Sequence, residues 1–117
     1  SVLPLTPETT GIMNAGFFSM LADGAFIING GRGPQVDDDD LLAALGSGKL
    51  GGAALDVFAV EPLPQDHPFW THPKVRVWPH VAAQTNATSA AEQVAAAITA
   101  MMDGSEPANR VDWSRGY

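Results

Sequence analysis

Cysteine is absent from this sequence, basic residues are few, and no long apolar run occurs; each absence removes a class of function. Without Cys there is neither a disulfide framework nor a thiolate metal site, which suits a reducing cytoplasm. Lys and Arg number 6 against 13 Asp and Glu, for a formal charge of −7. Phosphate-backbone binding needs clustered cations, so no nucleic-acid partner is expected. No stretch approaches the ~18 apolar residues of a membrane span, and no basic segment followed by an apolar one opens the chain, so neither membrane insertion nor secretion is expected. The Asn86-Ala87-Thr88 sequon then reads as the start of a helix rather than a glycosylation site. What is present, 117 residues of which 45% are hydrophobic, can fill one modest core.

The chain alternates strand and helix signals. Ser1 to Thr10 breaks from extended apolar positions into Pro/Thr turn chemistry, like the end of a strand and the loop after it. Asn14 caps a short helix with Phe17, Phe18, Met20 and Leu21 at helical spacing, ended by Asp23-Gly24. The unbroken apolar run from Ala25 to Asn29 predicts a buried strand of a parallel sheet, and Gly30-Gly31-Arg32-Gly33 follows at once. Asp37 to Asp40 precede Leu41, Leu42, Ala44 and Leu45, and acids in a first helical turn oppose the positive end of the helix dipole. A calcium loop needs ligands at alternate positions and a distal Glu, which this run lacks. Gly46-Ser47-Gly48 stops that helix.

A second buried strand is predicted over Gly51 to Phe58 and a third over Val75 to Trp78. Between them lies a connector anchored by Phe69 and Trp70; its His67 and His72 each precede a proline and do not share a helix face, so a surface loop is expected and no metal site. From Asn86 to Met102 an Ala-rich helix carries Val94, Ile98, Met101 and Met102, with Ser89 and Glu92 placed as a capping box. The tail holds Trp113, Arg115 and Tyr117 in polar surroundings, the pattern of a segment docked on something else.

Strands joined by short Gly-rich turns and helices predict an α/β fold, the second half of a doubly wound parallel sheet of Rossmann type with a C-terminal helix and tail. In such a sheet the carboxyl ends of the strands share one edge, where ligands bind. Arg32, Glu61 and His80 each lie just past a different predicted strand, so a cation, a carboxylate and an imidazole converge there. Taken singly each has a plainer reading: Arg32 a loop cation, Glu61 a solvated loop acid, His80 a structural histidine packed after Pro79. Together they fit reduction of a 2-keto acid by a nicotinamide. Arg32 would hold the carboxylate through its planar fork, His80 would give a proton to the forming alkoxide, and Glu61 would orient the ring and favour its protonated form. A hydrolase would need a Ser on a strand-to-helix elbow, and neither Ser47 nor Ser89 has that setting.

At these residues the chain resembles the C-terminal half of the D-isomer-specific 2-hydroxyacid dehydrogenases. Leu3 to Thr9 is similar to the loop that the family places over the adenosine side of its cofactor. Asn29-Gly30-Gly31-Arg32-Gly33 is similar to the segment bearing the substrate-binding arginine, with Gly31 where alanine or serine is usual. Leu55 to Phe58 followed by Glu61 to Pro64 resembles the segment whose Asp meets the nicotinamide carboxamide and whose Glu pairs with the catalytic His. Formate dehydrogenases of the same superfamily carry Gln there, so Glu61 favours the hydroxyacid branch. Pro79-His80-Val81-Ala82-Ala83 resembles the His motif. Pro79 to Thr85 and the ending Arg115-Gly116-Tyr117 are most like the glyoxylate/hydroxypyruvate reductase A group.

The resemblance implies cofactor contacts at Leu3, Pro4, Leu5, Thr10, Gly31, Arg32, Asp56, His80, Ala82 and Ala83, and a catalytic set of His80, Glu61 and Arg32. It implies NAD or NADP as cofactor, with NADPH favoured by the group, a small 2-keto acid such as glyoxylate or hydroxypyruvate as substrate, and a cytoplasmic homodimer as the complete protein. A non-catalytic cofactor-sensing or scaffold protein of the same fold is the alternative. Residues 1–85 would form the C-terminal part of the NAD(P)-binding domain, and 86–117 a helix and tail returning to a substrate domain outside the chain. The family's Gly-rich phosphate loop would lie upstream of Ser1; the G-x-G-x-x-G in these residues, Gly46 to Gly51, leads from a helix stop into a strand and not from a strand into a helix, so it is not that fingerprint. Alone, the piece is expected to bind cofactor poorly and not to turn over.

Overall fold

Local capping sets the first two helices where the sequence predicts them. In the computed structural model, which describes residues 1–116, Asn14 Oδ1 accepts from Phe17 N–H and starts α1 (Ala15–Met20). Asp37 likewise accepts from Asp40 N–H and starts α2 (Asp38–Ser47), with three further acids in its first turn. These carboxylates face the unpaired amides and positive dipole end of the helix. Helix α1 stops at Leu21, before the predicted Asp23-Gly24, and α2 runs on to Ser47 and caps at Gly48.

Three strands form one parallel sheet in the order β1-β2-β3: β1 (Ala25–Asn29), β2 (Leu50–Leu55) and β3 (Val75–Val77). β1 has the predicted bounds, but β2 ends three residues before Phe58 and β3 one before Trp78. Val57 and Phe58 are buried and apolar, which makes them resemble strand in sequence, yet their backbone has left the ladder. Burial here comes from the core beneath the loop and not from sheet pairing. Ser1 also pairs alongside β1, its amine donating to Ile28 O (2.6 Å) and its carbonyl accepting from Gly30 N–H (3.0 Å).

The core lies on one face of the sheet. Ile27, Ala53, Leu55 and Val75 meet Phe18, Leu41, Leu45 and Phe69 there. On the other face Phe26 is 73% exposed and Ile28 67%, which corrects the expectation that β1 is buried throughout. A continuous apolar run marks a strand to be covered on both faces, and the described residues cover one. The connector from β2 to β3 holds a single 3-10 turn, Pro68–Trp70. Phe69 anchors it, whereas Trp70 is half exposed with Nε1 donating to Pro64 O (2.8 Å). His67 is not a free loop side chain: it packs edge-on to Phe69 and its Nε2 lies 3.6 Å from Asp38 Oδ2.

The chain divides into two compact units, Ser1–Ala82 and Ala83–Tyr117. The second contains α3 (Ala87–Met102), capped by Asn86, whose Oδ1 accepts from Ser89 N–H (3.1 Å). The Ser89/Glu92 box is thus replaced by a cap one turn earlier, because Asn is as good a cap as Ser and stands first. Val94, Ile98, Met101 and Met102 are exposed on α3, and Trp113 is exposed in the tail; the Tyr117 ending lies outside the described residues. Among the described residues no helix is long and apolar enough to cross a membrane.

One contact joins the turn after β1 to the loop after β2. A Cβ on Gly33 would stand 1.8 Å from Phe58 C and 2.0 Å from Phe58 O, so the two backbones touch where only glycine fits. Gly33→Ala is expected to destabilise by about 3 kcal/mol or more, the upper range for overpacking. Gly46→Ala, inside α2 with nothing within 4 Å of the new Cβ, is expected to stabilise by about 0.5–1 kcal/mol. Urea unfolding of the two variants checks both, and similar midpoints would contradict the close approach.

Candidate active site

The sheet register aligns the ends of the three strands. Asn29 pairs with Leu55, and Leu55 with Val77, so Gly30, Asp56 and Trp78 leave the sheet side by side. The ladder continues one step further through Asp56 N–H to Asn29 O (3.0 Å) and Trp78 N–H to Leu55 O (2.9 Å). Each loop carrying a predicted site residue therefore starts from the same edge.

Asp56 does the first positioning. Its buried carboxylate accepts from Val81 N–H on one oxygen (2.9 Å) and from Ala82 N–H on the other (2.8 Å). Two charge-assisted bonds thereby fix the residues immediately after His80. His80 itself adopts φ +56°, a left-handed backbone that costs a non-glycine residue on the order of 1 kcal/mol or more and persists where surrounding contacts over-determine it. The resemblance assigns Asp56 to the cofactor, and the sequence contains no sign of this second role as an anchor for the histidine segment.

His80 and Glu61 meet. His80 Nδ1 lies 2.8 Å from Glu61 Oε2, and Glu61 Oε1 accepts from Phe58 N–H at 2.9 Å. An ionised carboxylate can only accept, so the imidazole proton shared with it sits on Nδ1 and Nε2 is the nitrogen left for chemistry. The imidazole hydrogen bond, followed by the Phe58 amide, holds the Glu61 carboxyl below its ordinary value of 4.5; burial opposes them, and the charges of His80 and Arg32 add lesser downward effects. The carboxylate thus stays ionised, and the pair formed, down to pH values below that of a free Glu. A group so depressed contributes stability above the ordinary value and loses it as pH falls through the folded one.

Arg32 is exposed, with Nη1 donating to Gly31 O (2.8 Å), and its charge reaches Glu61. Its turn is braced by Asn29, a fully buried amide whose Oδ1 accepts from Gly31 N–H (3.0 Å) and whose Nδ2 donates to Arg32 O (3.1 Å). An Asn directly before Gly-Gly is the sequence signal for such a side-chain turn. Gln35, also fully buried, and the Phe58 amide are supporting groups that the sequence reading missed, and no periodicity marks them.

Two clefts open at this edge. One of about 410 Å³ is lined by Ile28, Gly30, Ala54, Asp56, Trp78 and Ala82. The other, about 350 Å³, is lined by Phe58, Glu61, Pro62, Pro79 and His80. Leu3 lines a separate apolar recess with Ile12 and Phe17 beside β1, while its backbone lies against Gly31. Pro4 O accepts from Thr9 Oγ1 and Thr10 Oγ1 donates to Thr6 O, so the Leu3 to Thr10 segment is knit to itself. Leu5 and Thr10 are exposed, and Ala83 belongs to the second unit. The edge thus gathers Arg32, Glu61, His80, Asp56 and Ala82.

Comparison with known proteins meets this geometry from outside. The family model for the D-isomer specific 2-hydroxyacid dehydrogenase NAD binding domain matches residues 1–82, the extent of the first compact unit. Glyoxylate/hydroxypyruvate reductase A of Serratia proteamaculans is 52% identical over all 117 residues, and that of Yersinia enterocolitica 51%. The chain spans 37% of the length of each of these relatives. A D-isomer specific 2-hydroxyacid dehydrogenase from Xanthobacter autotrophicus, solved with NADPH and MES, superposes with a TM-score of 0.95 at 47% identity, covering 99% of this chain and 48% of that one. The NADPH-dependent glyoxylate/hydroxypyruvate reductase of Sinorhizobium meliloti, solved with NADP and sulfate, gives 0.92 at 43%, covering 99% and 38%. Parallel sheet, strand-end trio and matched sequence agree: the chain belongs to the D-isomer specific 2-hydroxyacid dehydrogenase family.

Proposed function

We propose that these residues supply the acid, its partner and the carboxylate clamp of an NAD(P)H-dependent reductase of small 2-keto acids, such as glyoxylate or hydroxypyruvate. The observation that carries the reading is the 2.8 Å pair between His80 Nδ1 and Glu61, which leaves Nε2 free at the edge where Arg32 stands. A solvated loop acid and a packed histidine would have no reason to meet there, and the pairing supports catalysis over a cofactor-sensing or scaffold role.

The 410 Å³ cleft has apolar walls from Ile28, Ala54 and Trp78 and a carboxylate at Asp56, a shape and polarity that suit a flat ring with an amide substituent. Asp56 and Ala82 would hold that ring, and Leu3, Pro4, Leu5 and Thr10 the adenosine side. A nicotinamide cofactor held by these residues would supply the hydride. Arg32 binds and orients the substrate carboxylate through its remaining guanidinium donors. His80 delivers the proton on Nε2 to the oxygen as it gains charge, and Glu61 stabilises the imidazolium before that transfer and keeps the ring aimed. NADP is the favoured cofactor, since relatives of this sequence were solved with NADPH or NADP.

In this reading residues 1–85 form the C-terminal part of the NAD(P)-binding domain, and 86–117 return to a substrate domain outside these residues. The complete protein is a cytoplasmic homodimer with no nucleic-acid partner, consistent with the net charge of −7.

Three variants of the complete polypeptide test the assignment. His80→Ala should abolish NADPH oxidation with glyoxylate while leaving cofactor binding, read by fluorescence titration, largely intact; an unchanged rate would sink the acid assignment. Arg32→Lys should raise the glyoxylate KM more than it lowers kcat, because a point charge replaces a planar fork. Glu61→Gln replaces the carboxylate that holds His80 Nδ1 at 2.8 Å and should lower kcat about tenfold or more with cofactor binding kept. An unchanged kcat would separate Glu61 from the acid.

A further inference from the structure

Gln35 is a buried amide set between the N-terminal segment and the turn that presents Arg32. All of its polar atoms are used. Nε2 donates to Leu3 O (2.9 Å) and Pro4 O (3.0 Å), while Oε1 accepts from Ser1 Oγ (3.1 Å) and from Arg32 N–H (3.3 Å). Gly31 completes the arrangement. A Cβ at Gly31 would lie 2.7 Å from Gln35 Oε1 and 2.9 Å from Leu3 O, so the glycine found where alanine or serine is usual has a steric cause. The carbonyl of Gly31 in turn accepts from Arg32 Nη1, which makes the guanidinium's direction depend on this peptide unit.

We propose that Gln35 is a positioning residue for Arg32: it ties the Leu3–Pro4 segment to the backbone that aims the guanidinium, and Gly31 is glycine because the amide and the Leu3 carbonyl it holds take its side-chain space. The inference rests on the reading of Arg32 as the carboxylate clamp. It adds that the segment assigned to the adenosine side and the clamp on the substrate side share one buried hinge point. Buried polar groups fully satisfied in this way specify one local arrangement, and losing one partner leaves the others unpaired.

The test uses the complete polypeptide with glyoxylate and NADPH, alongside amide hydrogen exchange. Gln35→Leu should raise the glyoxylate KM about tenfold with kcat changed less than about threefold and the pH profile unmoved, the mark of a misplaced binding group rather than a damaged acid. The Arg32 amide should exchange at least about tenfold faster, while the Gly31 amide, held by Asn29, keeps its rate. An unchanged glyoxylate KM in Gln35→Leu, where Arg32→Lys raises it, overturns the inference and leaves the clamp standing. An unchanged KM in Arg32→Lys overturns the clamp itself. Should Gln35→Leu fail to fold, Gly31→Ala, checked by thermal melting, decides in its place: a raised KM supports the coupling and an unchanged one overturns it.

Discussion

The carboxylate of Asp56 is the anchor on which the arrangement at the sheet edge depends. It leaves the end of β2 and takes the backbone N–H groups of Val81 and Ala82, one on each oxygen. That pair of bonds joins the second strand to the loop after the third, and it holds the chain through the left-handed turn at His80. Without it the histidine segment has β3, a strand of three residues, as its main tether to the sheet. The cost of the unusual backbone at His80 is offset by bonds to a charged acceptor in a buried place, where they are stronger than in water.

The loop after β1 is held differently. Asn29 and Gln35 replace missing backbone pairing with side-chain amides, and Gly33 lets the turn lie directly on Phe58. Phe58 then donates to Glu61, which meets His80. A continuous line of contacts runs from the arginine turn through the glutamate loop to the imidazole. It consists of backbone contacts and short polar bonds, which transmit a displacement better than long flexible side chains do.

Much of this was legible in the sequence. β1, the Asn14 and Asp37 caps and the start of α3 follow from periodicity and capping chemistry, and the convergence of Arg32, Glu61 and His80 follows from placing each at the end of a parallel strand. What escaped had physical reasons. Val57 and Phe58 look like strand because they are apolar and buried, although the Phe58 amide donates to Glu61 within its own loop. β1 reads as buried on both faces since its run is unbroken, while Phe26 and Ile28 stand exposed. The left-handed backbone at His80 has no sequence mark, because the usual signal for such a turn is glycine. Gln35 could not be singled out, as a polar residue in a Pro-containing turn is expected to face water.

The contact between Gly33 and Phe58 has a consequence for how such a protein can diversify. Two loops welded at their backbones cannot drift independently, so the spacing between cation and imidazole is inherited as a unit. A lineage built on this fold would then vary the exposed side chains of the two loops far more readily than the separation of their backbones, because a change at the weld moves both loops at once.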